Sequence, residues 1–205
     1  MLAAYAAAAG VLALLTIVPG PDVAVVTRFA LTSGRRGGIE AALGVVIGLL
    51  IWGTLTVLGL AAVLAASSTA YTIVKVAGAT YLVWLGLRAL WRSRTEPAAD
   101  EAQPRRAARH PLRTGLTTNL LNPKIAVFYT SVLPSLVPHG GPPIVWLPIL
   151  VLTHVVLALT WLTGSAAMLS RSRSVLDTPR VRQLIDAVTG VVLIGFGVRV
   201  AIETR

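Results

Sequence analysis

The chain has 205 residues, no cysteine and a formal net charge of +10. Its hydrophobic fraction is 55%, its charged fraction 13% and its mean hydropathy +0.77, whereas a soluble domain carries about 25% charged residues. This excludes a soluble globule, a disulfide framework and thiolate chemistry, and three histidines (His110, His139 and His154) give little basis for a metal site.

Residues 1–18 are apolar, Pro19-Gly20-Pro21 interrupts the run, and it resumes over 23–31. No Lys or Arg precedes Arg28, so the charged leader of a secretory signal is missing, and the stretch reads as part of the mature protein. Residues 39–66 follow, with Glu40 the one charge, and then 71–91, containing Lys75. A polar segment over 92–113 is rich in Arg, Pro and Ala. Residues 115–137 are apolar around Asn122-Pro123-Lys124, 144–169 are apolar around His154, and 171–182 are basic. The last run, 184–202, has Asp186 near its start and Arg199 near its end. A bilayer core needs about 20 apolar residues per helix, and only helices satisfy their backbone in lipid without closing a barrel. The pattern predicts an all-α integral membrane protein of six transmembrane helices. Residues 1–91 form a first three-helix unit, 92–113 a linker and 114–205 a second three-helix unit.

The basic residues alternate between loops. Arg28, Arg35 and Arg36 flank the first; Arg92, Arg94, Arg105, Arg106, Arg109 and Arg113 fill the third; Arg171, Arg173, Arg180 and Arg182 fill the fifth. Loops two and four carry no Lys or Arg. Basic loops stay on the cytoplasmic side, so loops one, three and five are expected inside and both termini outside; a re-entrant first segment would flip the N-terminus. The charge is thereby accounted for by topology, and no basic face with interleaved aromatics points to nucleic acid.

Two units of three spans must be inverted relative to one another. Pro21-Asp22 and its apolar run align with Pro123-Lys124 and its own, which sets Gly38 against Gly140. Leu85-Gly86-Leu87-Arg88 resembles Phe196-Gly197-Val198-Arg199, which sets Lys75 against Asp186. Inverted repeats with helices broken at equivalent points mark secondary transporters. At each break proline withdraws an N–H and parts the helix. The first helix is expected to stop near Val18 and restart near Pro21 or Asp22, and Asn122 to cap a restart at Pro123. Restarted helices offer N–H groups and the positive end of a dipole to an anion. Ionisable groups in a bilayer cost about 2.5–3.5 kcal/mol or more and mark function or a partner. Lys124 with the helix ends is therefore expected to hold a carboxylate, and Asp22 an ammonium group or a coupling proton. The bland alternative is that Asp22 caps its helix and pairs with Lys124.

Lys75 and Asp186 read as a structural pair or as interfacial charges, with a second role in ion coupling open to them. Glu40 is expected to pair with Arg35 or Arg36, and His154 to be a satisfied bundle histidine or a proton relay. Gly34, Gly38, Gly44 and Gly48 have the small-xxx-small spacing of close helix packing. Trp52, Trp84, Trp91, Trp146 and Trp161 include interface anchors, Trp91 and Trp146 best placed. Gly164-Ser165 has no nucleophile elbow or base around it and no nucleotide motif is present, so no enzyme and no cofactor is expected. A metal or inorganic-ion exporter on the same architecture, or a membrane subunit without transport, are the rival readings. A homodimer through the glycine-rich second helix is allowed by the pattern but not required by it.

With these residues in hand, the chain resembles the LysE/RhtB amino-acid exporters. The resemblance rests on Pro19-Gly20-Pro21-Asp22, on Gly34-Arg35-Arg36 with Gly38, Gly44 and Gly48, and on Lys75-Val76-Ala77-Gly78 with Tyr81-Leu82 and Gly86. It continues through Gly115, Asn119-Leu120-Leu121-Asn122-Pro123-Lys124 and the segment with Asp186, Gly190, Gly197 and Arg199. It covers nearly the whole chain, with one mild departure at Phe128-Tyr129, where two Phe are frequent. It implies a multi-pass inner-membrane exporter of amino acids or close zwitterionic derivatives, driven by a proton or other ion gradient, in contact with lipid. It also implies a substrate site at Pro19, Gly20, Pro21, Asp22, Asn119, Asn122, Pro123 and Lys124, with Asp22, Asp186 and Lys75 as the groups for ion coupling.

Overall fold

The computed structural model describes residues 1–18, 20–66, 68–95, 110–138, 140–169 and 179–202, and among them every regular element is helical. For some helical residues, Lys75, Asp186 and Arg199 among them, the description covers the backbone alone. Helix α1 (Leu2–Ile17) stops at the Pro-Gly-Pro interruption, of which Pro19 lies outside the described residues. Val18 leaves helical geometry at φ −59°, ψ 114°. The chain restarts as α2 (Pro21–Thr32), with Gly20 extended at its N-cap and Pro21 first in the helix, where a missing N–H costs nothing. The two axes diverge by 52°. Helix α3 (Gly34–Ala66) and α4 (Ser68–Thr95) follow.

The expected fourth span is broken more thoroughly. Helix α5 (Pro111–Leu120) ends at Leu121 and α6 (Pro123–Val127) restarts with Asn122 as N-cap and Pro123 first. A π turn (Phe128–Val132) leads to the single turn α7 (Leu133–Ser135). Pro134 has no N–H to return to the preceding turn, and a ladder that loses a donor there widens. Helices α8 (Pro143–Leu169) and α9 (Pro179–Ile202) complete the chain.

Among the described residues α3, over Gly34–Gly59, and α8 are each long and apolar enough to cross a membrane, and the bent pair of α1 and α2 qualifies as a third span. Helix α4 holds a shorter apolar run, Val76–Trp91. The outward faces are apolar: Leu55, Leu58, Ile73, Val76, Leu152, Val156, Val191 and Val198 are all exposed. Water does not tolerate a continuous surface of that kind, and lipid does.

Because lipid gives helices no hydrophobic reason to associate, packing rests on close backbone approach at small residues. In the pairing of α4 with α9, a Cβ on Gly86 would lie 2.7 Å from the Gly190 carbonyl, and one on Gly197 2.7 Å from that of Ala79. These two contacts run in opposite order along the chain, so α4 and α9 are antiparallel. Helices α3 and α8 are antiparallel by the same reasoning, since Gly38 meets Ala166 and Gly53 meets Val151. Helices α3 and α5 run in the same direction, with Gly44 on Leu112 and Leu116, Gly48 on Asn119, and Gly115 on Ala41. Gly38, matched in sequence to Gly140, lies inside α3, whereas Gly140 is in a turn at φ 77°. The conformational counterpart of Gly140 is Gly34, at φ 71°: Gly34 opens α3, and Gly140 lies in the turn before α8. Glu40 accepts from Arg36 at 3.1 Å, the expected surface pair.

Gly86→Val should destabilise the detergent-solubilised protein by about 1–3 kcal/mol, the cost of overpacking a close contact. Gly164→Ala, where a Cβ meets nothing within 4 Å, should leave stability the same or slightly higher. Thermal unfolding of both variants beside the parent checks this.

Candidate functional site

The two breaks lie against one another, and each holds the charged residue of the other. Asp22, in the first turn of α2, is 8% exposed. It makes no capping bond to its own helix. Its Oδ2 instead accepts from Asn119 Nδ2 at 3.0 Å and from Asn122 Nδ2 at 3.1 Å, both from the second break. Lys124 is likewise 8% exposed, and its Nζ donates across to the Val18 carbonyl at 3.1 Å. That carbonyl is one that α1 leaves without a helical partner, and a cation is well placed at a helix C-terminus. Gly20 lets the lysine pass, since a Cβ there would come 3.1 Å from Nζ.

Asp22 and Lys124 are thus each anchored by neutral groups, and no hydrogen bond joins them. The bland alternative, a self-capping aspartate paired with a lysine, is not the arrangement seen. The second Asp22 oxygen, Oδ1, is buried with no hydrogen-bond partner. Asn122 serves twice: its Nδ2 holds Asp22, while its Oδ1 accepts from the Lys124 N–H at 3.1 Å and so caps α6. The N-terminus of α6 is therefore occupied, whereas that of α2 has no side-chain cap.

Asn119 is fully buried because α5 presses onto Gly48 of α3. A Cβ on Gly48 would come within 2.9 Å of both Cβ and Cγ of Asn119. The missing side chain is what lets the amide swing onto Asp22. Gly48 is therefore more than a packing residue, as the small-xxx-small spacing alone suggested.

Beyond the break the π turn carries Tyr129, fully buried, whose hydroxyl lies 3.0 Å from His154 Nδ1. Thr56 Oγ1 donates to the Trp52 carbonyl at 2.8 Å and lies 3.2 Å from the Tyr129 carbonyl. His154 is thus a satisfied bundle histidine, one of the two roles its sequence position allowed. Tyr129 and Thr56 were not legible as neighbours of the break, because nothing local in sequence signals which way a π turn aims a side chain or which face of α3 meets it.

Of the expected substrate-site residues the structure brings Gly20, Asp22, Asn119, Asn122 and Lys124 into one cluster. Pro21 and Pro123 set the helix starts beside it, and their rings are exposed. Pro19 and the side chains of Lys75 and Asp186 lie outside the described residues. Trp91 is exposed, and Trp146 packs its ring 6.4 Å from that of Tyr5.

Apolar helices with lipid-facing surfaces, two of them broken around a buried carboxylate and a buried ammonium, define a membrane translocator rather than an enzyme. The family model described as LysE type translocator matches residues 13–204, and the chain belongs to that family. It is 28% identical to the threonine efflux protein of Escherichia coli K12 over 190 residues, 90% of this chain and 91% of that protein. It is 30% identical to the leucine efflux protein of Klebsiella pneumoniae over 191 residues, 91% of this chain and 89% of that protein. It is 27% identical to the Bacillus subtilis membrane protein YrhP over 199 residues, 93% of this chain and 95% of that protein. No solved structure matches.

If Gly48 matters because it seats Asn119, the two positions are coupled. Gly48→Ala and Asn119→Ala should each destabilise the protein, and the double variant should lose less than the sum of the two by about 1 kcal/mol, because the contact with the amide goes while that with the Cβ stays. Thermal unfolding of the four proteins measures it; additive losses would mean that Gly48 serves packing only.

Proposed function

We propose that this protein exports amino acids or close derivatives across the cell membrane by alternating access. The observation that carries the reading is the pair of buried opposite charges that do not bond to one another. Burying one charge costs several kcal/mol unless it is compensated, and two opposite charges left apart fit a ligand that bears both. The substrate ammonium meets Asp22 at its unpartnered Oδ1. The carboxylate meets Lys124 and the N-terminus of α2, with Gly20 and the prolines shaping the wall and Asn119 and Asn122 orienting Asp22. Threonine and leucine, named in the efflux relatives, are the first substrates to try.

The surrounding architecture is read as six spans in two inverted units, 1–91 and 114–205, joined by 92–113. What supports it is the pairing of elements. An inverted repeat relates α3 to α8 and α4 to α9, and each of these pairs is in contact and antiparallel. It also relates the contact of α3 with α5 to that of α8 with α1, and both are present. The two units rock about the breaks, exposing the site to one side at a time. Proton antiport drives export, with Asp22 the carrier: a proton and a substrate ammonium compete for the same carboxylate. Asp186 and Lys75, at matched positions in α9 and α4, are the further groups for coupling. Basic loops face the cytoplasm and both termini the outside.

In proteoliposome counterflow with a panel that includes threonine and leucine, the parent should exchange at least one amino acid. Asp22→Asn and Lys124→Met should each lower that exchange at least about tenfold, since each removes a charged partner. A parent that moves other solutes but no amino acid would overturn the substrate assignment.

The cysteine-free chain allows the orientation to be read directly. A membrane-impermeant maleimide should label Pro142→Cys in intact cells and Arg94→Cys only after permeabilisation. The opposite pattern would invert the topology.

A further inference from the structure

Three buried side-chain polar atoms of the described residues have no hydrogen-bond partner: Asp22 Oδ1, Asn119 Oδ1 and Trp52 Nε1. The first two belong to the cluster at the breaks, and the Asn119 oxygen lies over Gly48 of α3, where a Cβ would collide with it. The third is a donor. An indole N–H normally finds an acceptor when buried, and one left without carries a desolvation cost that calls for an explanation in its surroundings.

Helix α3 fixes the level of Trp52. Residues 48, 52 and 56 lie four apart, on one face of a helix. Gly48 touches Asn119 before the break, and Thr56 lies against the Tyr129 carbonyl after it. Trp52 lies between them on that face of α3. It is half-buried and packs against the core cluster, with Nε1 withdrawn from solvent. The breaks and this face of α3 thus hold unpartnered acceptors on Asp22 and Asn119 and an unpartnered N–H on Trp52, beside the Lys124 ammonium.

We propose that Trp52 is a substrate-binding residue whose indole N–H donates to the carboxylate of the transported amino acid. This rests on the zwitterion site described above and adds the third point that such a site needs. A point charge such as Lys124 attracts a carboxylate without fixing its orientation, whereas an indole N–H on a continuous helix is directional. With Asp22 on the ammonium, Lys124 and the N-terminus of α2 on one carboxylate oxygen and Trp52 on the other, the α-carbon is held in one orientation. The protein thereby selects α-amino carboxylates over amines of the same side chain.

The test is counterflow with L-threonine and L-leucine and with the amines of the same side chains, isopropanolamine and isoamylamine, for the parent and for Trp52→Phe, which keeps an aromatic ring and removes the N–H. The expected result is a rise of about tenfold in the half-saturating concentration of the amino acid, with exchange of the amine, weak in both proteins, unchanged by the substitution. Equal behaviour of parent and variant toward the amino acid overturns the role of Trp52 and leaves the zwitterion site standing. A parent that exchanges neither amino acid nor amine overturns the site and Trp52 with it. Should Trp52→Phe fail to accumulate in the membrane, a protein with Trp84, Trp91, Trp146 and Trp161 all changed to Phe retains Trp52 as its one tryptophan. Its emission should shift on adding the amino acid and not on adding the amine. An emission that ignores both ligands while the protein still exchanges the amino acid sinks the proposal.

Discussion

A helix cannot simply be interrupted inside lipid, because no water is there to take up the N–H and C=O groups that the interruption exposes. In this protein the two interruptions solve the problem for each other. The carbonyl that α1 leaves open at Val18 is taken by Lys124 from the other break, and the carboxylate that opens α2 is taken by Asn119 and Asn122. Neither break would be tolerable alone, and their positions in the chain, about a hundred residues apart, are tied by that mutual need. The rest of the fold serves to bring them into register: glycines in α3 admit α5 closely enough for Asn119 to reach Asp22, and the aromatic layer of Phe128, Tyr129 and His154 closes the far side.

Much of this was written plainly in the sequence, because proline and charge are loud in an apolar background. Pro21-Asp22 and Asn122-Pro123-Lys124 announced both breaks, and the helices restart where proline and the asparagine cap put them. The pairing of charges was less legible. Spacing placed Asp22 and Lys124 at equivalent points and suggested that they meet. The partners they do have are neutral amides and a backbone carbonyl, whose choice depends on how α5 and α1 cross, and crossing is decided by packing at several residues at once. Gly48 carries the clearest lesson. Its spacing to Gly44 reads as helix packing, and only the approach of Asn119 shows that the same small residue also seats a site side chain.

The π turn at Phe128–Val132 was invisible for a different reason. A widened turn is a response to the loss of a donor at Pro134 within a particular packing, not a pattern of residue types, and other prolines in apolar helices leave the α ladder intact: Pro148 sits inside α8 without interrupting it. Tyr129 and His154 lie far apart in sequence, so their contact had no local signal. Lys75 and Asp186, conspicuous as charges in apolar runs, fall on residues whose side chains are not described, and their role rests on position alone.

Helix α3 has one further property. It is continuous over 33 residues, long enough to extend beyond a bilayer core, and it lies alongside a partner that is broken into four pieces. Gly44 and Gly48 grip the piece before the break, and Thr56 lies against the piece after it. It acts as a splint. The spacing between those grips then becomes a measured length: inserting a single residue between Gly48 and Thr56 would turn one grip by about 100° relative to the other, so that α3 could seat Asn119 or meet the Tyr129 carbonyl but not both. Length in that stretch is thereby constrained more tightly than identity, which is the reverse of what holds for the loops at either end.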